Sequence, residues 1–115
     1  MLSKEEINTQ LPNFTGTENY HKYLCGIFLS DGVKYLAEAA GCFWLLDILI
    51  SAQQLPKVKK EEFQVLKFNK NKMVLQIEDG NNNVVYKQKL QCTDCPLSEI
   101  SIWFANRIIY LPSEH

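Results

Sequence analysis

The chain has 115 residues, 46% of them hydrophobic and 22% charged, with 12 basic and 13 acidic side chains and a formal charge of -1. That length supports one hydrophobic core without metal or disulfide staples, so a single domain over 1–115 is expected, and the composition excludes disordered and fibrous chains. The near-neutral balance also removes the global basic surplus that marks many nucleic-acid binders.

In chain order, the opening "MLSKEEINTQLPNFT" carries acids and no apolar h-region. It reads as neither a secretory signal nor a transit peptide, and the expected location is the cytoplasm, away from membranes. "FTGTENYHKY" (14–23) follows. Its Gly16 turn, with Thr15 or Thr17 as a cap and Phe14 as a hydrophobic staple, predicts a short N-terminal helix through Tyr23. Tyr20 and His21 are least explained by that role and are candidate site residues with Tyr23. Residues 31–54, "DGVKYLAEAAGCFWLLDILISAQQ", lack proline, open on Ser30 and Asp31 as candidate caps, and stop before Pro56. They predict one long helix of about 35 Å. Val33, Leu36, Ala37, Ala40, Phe43, Trp44 and Ile48 would share its apolar side, with Leu45, Leu46, Leu49 and Ile50 widening it.

Beyond the connector "LPKVKKEE" the periodicity changes to that of strands. "EFQVLKF" (62–68), "MVLQIE" (73–78) and "VVYKQKLQ" (84–91) predict three strands joined by "NKNK" and "DGNNN" turns. Loops this short permit only antiparallel hairpins. "EISIWFA" (99–105) and "RIIYLP" (107–112) predict a fourth strand and a fifth, divided at Asn106. The expected fold is α+β, with one long helix across an antiparallel meander of four to five strands.

Several of these stretches together resemble domain of unknown function 6876, an uncharacterised bacterial and phage-associated family: "FTGTENYH", "SDGVKYLAEAAGCFWLLDILIS", "EEFQVLKF", "EDGNNNVVY", "CTDCPLSEISIWF" and "YLPSEH". The resemblance covers nearly the whole chain. The family pattern has an aromatic residue where this chain has Cys95, and tyrosine where it has His115. The resemblance implies no activity, but it implies a mobile-element context in which many small proteins inhibit host defence.

The chemistry-bearing residues are few. Cys25 and Cys42 are expected to be buried apolar side chains. Cys92 and Cys95 form a C-x-x-C, but zinc needs two further ligands and a redox pair needs a thioredoxin-like context, so no metal or cofactor is expected. Asp47 falls on the apolar side of the predicted helix, where a carboxylate needs a partner such as a tyrosine hydroxyl, or has a raised pKa in a pocket. His21 could pair in space with Asp31, Asp47, Asp94 or Glu114. A site is expected where its segment meets the helix start at Asp31, and a hydrolase or small-molecule site there is the alternative function.

No nucleophile elbow, phosphate loop or metal-binding helix motif occurs, and no catalytic residue is assigned. Eight lysines and no arginine lie between 56 and 89. Lys57, Lys59 and Lys60 head this stripe, which with Phe68 and Tyr86 could lie on RNA or DNA or could simply protect strand edges. Trp103, Tyr20 and Tyr23 are candidate anchors for a protein partner. Leu45 and Leu49 could seal a homodimer. The expected function is a non-enzymatic interaction protein acting on a host protein or ribonucleoprotein, as an inhibitor of a defence complex such as a CRISPR effector.

Overall fold

The computed structural model describes Glu6, residues 19–90 and residues 95–114. The helical region is divided. Helix α1 spans Asp31–Ala40 and α2 spans Phe43–Ala52, with a short α3 at Pro56–Lys59. Ser30 caps α1, its hydroxyl accepting from Val33 N at 3.2 Å. Gly41 ends it in the left-handed region, φ 65°, and Cys42 N donates back to Ala37 O at 3.0 Å. This is a Schellman stop, in which a residue without Cβ reverses the chain at no steric cost.

The break corrects the single long helix expected for 31–54, and it rephases everything after it. Leu45, Leu46, Leu49 and Ile50 turn inward and are buried. Phe43 and Asp47 turn outward, although a continuous wheel would place both on the apolar side. Leu45 and Leu49, at 1% and 0% exposure, belong to the chain's own core and are not available to a dimer.

All the strands among the described residues join one sheet. They are β1 (His21–Lys22), β2 (Phe28–Leu29), β3 (Phe63–Asn69), β4 (Val74–Asp79), β5 (Val84–Lys89), β6 (Glu99–Ala105) and β7 (Ile108–Tyr110). Their order is β1-β2-β7-β6-β3-β4-β5, antiparallel except for the parallel β2–β7 pair. The expected meander of four to five strands is therefore corrected to a seven-stranded mixed sheet. β3, β4 and β5 run as consecutive hairpins, but β6 returns to the far side of β3, pairing Leu66 with Ile102. His21 and Lys22 are strand, so the helix expected through Tyr23 does not reach them; its predicted start at 14–18 lies outside the described residues.

Turn chemistry explains the hairpins. Asn106 and Arg107, with φ 54° and 63°, make the doubly left-handed two-residue turn whose twist suits a hairpin between β6 and β7. In "DGNNN" the Asp79 carboxylate accepts from Asn81 N at 2.8 Å and Asn83 N at 3.0 Å, and these amides lower its pKa. Helices α1, α2 and α3 cover one face of the sheet, where Leu66, Phe68, Leu75, Ile77, Ile102 and Ile109 meet Val33, Leu36, Leu46 and Leu49. Trp44 meets Phe68 edge to face at 5.6 Å. No helix among the described residues is long and apolar enough to cross a membrane.

Candidate functional site

Strands β1 and β2 bring the "NYHKY" end of the opening segment against the start of α1. His21 Nε2 lies 2.7 Å from Asp31 Oδ1, and the other carboxylate oxygen accepts from Asn19 N at 3.3 Å. A carboxylate can only accept, so Nε2 carries the proton. Asp31 is the first helical residue, where a negative charge also complements the helix dipole. The sequence placed a site where these two residues meet; the structure brings them together as a half-buried pair.

The neighbouring groups are committed. Ser30, adjacent to Asp31, is fully buried and donates to Glu114 Oε1 at 2.6 Å while accepting from Val33 N. Glu114 also accepts from Leu111 N at 2.9 Å and, through Oε2, from Gly32 N at 3.1 Å. A Cβ on Gly32 would stand 2.6 Å from Leu111 Cδ1 and 2.7 Å from Glu114 Oε1, so a larger residue there would displace the ends of both side chains. Glu114 is thus a structural clamp on the helix start, a role sequence reasoning missed. The available signal was an acid in "YLPSEH" with no partner nearby in sequence.

Tyr23, two residues after His21, serves a different carboxylate. Its hydroxyl donates to Asp47 Oδ1 at 2.6 Å, and its ring stacks on Phe43 at 5.9 Å. Burial, then the hydrogen bond and the charge of Asp47, push the phenol up to about 12. Asp47 therefore has the tyrosine partner that one of its two sequence readings requires, but on an exposed helix side.

The other candidates are dispersed. Tyr20 is 55% exposed. Lys57 and Lys59 lie on α3 with Lys60 just after it. Trp103 is on the sheet face away from the helices, edge to face with Phe63 at 5.2 Å and Tyr110 at 6.0 Å. Phe68, offered above as a base-stacking ring, is buried at 2% exposure and presents no face to a ligand.

The thiols also divide. Cys25 is exposed, against the expectation that it is buried, because the left-handed turn at Cys25 and Gly26 turns it out of the core. Cys42 is buried, and desolvation, with a smaller effect of Cys95, pushes its thiol up to about 12. Cys95 is buried too, whereas Cys92, Thr93 and Asp94 lie outside the described residues. No group of three or more His, Cys, Asp or Glu side chains among the described residues is arranged to hold a metal.

A seven-stranded mixed sheet, short helices on one face and a His–carboxylate pair at a helix start define the protein's architecture, and no catalytic constellation is recognisable among the described residues. The chain belongs to a family of unknown function, DUF6876, whose model matches residues 5–115. Comparison with curated proteins and with solved structures finds no match.

Proposed function

We propose that the protein is a non-enzymatic interaction module that binds a protein or ribonucleoprotein. The observation that supports this reading is the commitment of its polar chemistry to the scaffold. His21 is held by Asp31, Tyr23 holds Asp47, and the Ser30 hydroxyl serves Glu114. General acid-base work needs such groups to face a substrate, and covalent catalysis needs a free nucleophile beside a base. Apolar side chains nevertheless remain outside: Tyr20 at 55%, Leu24 at 52% and Phe43 at 37% exposure, with Phe43 carrying the Tyr23 ring. Exposed aromatic and aliphatic groups on a rigid support are suited to anchor a partner. The mobile-element context implied by the family resemblance makes host defence complexes, CRISPR effectors included, the first partner class to test.

Affinity capture from host lysate with the purified chain should recover a defined protein or ribonucleoprotein. Tyr20→Ala with Leu24→Asp should weaken that capture about tenfold, since truncating a central anchor costs about 1–2 kcal/mol or more. His21→Ala should leave it intact. Turnover of a substrate by the wild type, abolished in a folded His21→Ala protein, would sink the reading in favour of an enzyme.

A further inference from the structure

Strand β5 is the last strand of the sheet. It pairs with β4 and has no strand on its other side among the described residues. The opposite edge is the two-residue β1, whereas β5 has six residues. In an antiparallel ladder the N–H and C=O groups of every second residue turn away from the paired strand, so β5 offers a row of donors and acceptors along its free side. Helix α3 contacts β5, and no backbone hydrogen bond joins the two among the described residues. Val84 remains 50% exposed.

The two faces beside this edge differ in chemistry. Gln76 pairs with Lys87 and Val74 with Lys89, so both lysines stand on the face away from the helices, and neither has an ion-pair partner among the described residues. On the helix face, Tyr86 and Gln88 line a groove of about 370 Å³ between β5 and α2, with Ile48, Ala52 and Leu55 as its apolar wall. The Tyr86 hydroxyl is occupied, donating to Gln88 Oε1 at 2.7 Å.

We infer that β5 accepts an extended segment of a partner protein as an eighth strand, and that this segment alternates acidic and apolar side chains. The inference rests on the interaction reading above and gives it a second contact surface, at the sheet edge opposite Tyr20 and Leu24. Strand addition draws affinity from main-chain hydrogen bonds and specificity from alternate side chains. Every second residue of the incoming strand faces Lys87 and Lys89, which calls for Asp or Glu; the residues between them face Ile48, Leu55 and Tyr86, which calls for Val, Ile or Leu. A second copy of this chain fits poorly, because edge-to-edge pairing of two β5 strands brings lysines against lysines on one face, and facing like charges are unfavourable.

The test is amide NMR of the full chain titrated with a synthetic eight-residue peptide alternating glutamate and valine. Saturable binding, with shifts and exchange protection concentrated on β5, is expected. Lys87→Glu with Lys89→Glu should weaken it at least tenfold and create binding to a lysine–valine peptide of the same pattern. Both lysines are exposed, and the charge-neutral pair Lys87→Gln with Lys89→Gln serves if the reversal impairs folding. The inference is overturned by equal affinity for a peptide of the same composition with four glutamates followed by four valines. Protection away from β5, absence of saturable binding, a self-association that protects β5 without peptide, or the same protection by oligouridine RNA would also overturn it. A captured host partner that binds the double-reversal variant as tightly as wild type removes β5 and leaves the interaction reading in place.

Discussion

Tyr23 holds its proton late because its ring is packed on Phe43 and its hydroxyl serves the Asp47 carboxylate. Burial and the carboxylate both favour the neutral phenol, placing it at about 12 against an ordinary 10.0. The sign follows from linkage: a pKa higher in the folded state contributes stability that is complete below pH 10 and disappears as pH rises through about 12. In an alkaline absorbance titration, Tyr23→Phe should remove one late-ionising tyrosine. Asp47→Asn should move Tyr23 downward only in part, because burial is the larger cause. Tyr110, raised by burial, should not move in either variant and provides the internal comparison. Unchanged late titration in Tyr23→Phe would show that the Tyr23–Asp47 bond does not persist in solution.

The helix break at Gly41 carries the chief difference between pattern and fold. Without a proline, and with apolar residues on both sides, 31–54 reads as one helix; a glycine within a helical pattern is tolerated often enough to leave the stop unannounced. Its φ of 65° makes the position testable. Gly41→Ala places a Cβ in the left-handed region and should cost about 1–2 kcal/mol, seen as a lower urea midpoint with an unchanged slope. Gly41→Asn should recover part of the loss. Full stability in Gly41→Ala would mean that the two helices do not need this stop.

The legible elements were those with enough residues to display a period. Leu75 and Ile77 on β4 alternate with the less buried Val74 and Gln76 as their letters suggest, whereas on β3 the buried set includes Gln64, which no apolar pattern marks. β1 and β2 have two residues each, too few for alternation to exist, and β2 enters the sheet through a parallel pairing no hairpin loop could announce. Glu78 is similarly opaque: it is 5% exposed on a face expected to be solvated, because a bulge sets it against Val84 and Lys67 reaches it at 3.2 Å. Of the candidate site, the meeting of His21 with Asp31 was legible, since both stood out as polar residues at the ends of elements. The half-buried Ser30–Glu114 contact spans 84 positions and leaves no local pattern.

At the scale of the whole molecule, that long-range contact ties the start of α1 to the residues after β7. β2 lies between β1 and β7, so the N-terminal and C-terminal parts of the described chain share one edge of the sheet, and Ser30 N donates to Ile109 O at 2.9 Å where they meet. Glu114 closes this junction by collecting the Ser30 hydroxyl, the Leu111 amide and the Gly32 amide on a single carboxylate at the positive end of α1. Removing it leaves the fully buried Ser30 without that acceptor. A buried donor left unsatisfied costs about 1–3 kcal/mol, so Glu114→Ala should lower the melting temperature by several degrees for each kcal/mol lost. Glu114→Gln keeps a carbonyl acceptor and should lose less. Hydrogen exchange provides the decisive measurement: faster exchange in β2, β7 and the first turn of α1 together would show one cooperative unit joining the two parts of the chain. If acceleration stays within 111–114 and the global melting temperature is unchanged, the closing turn is an appendage and the edge holds without it.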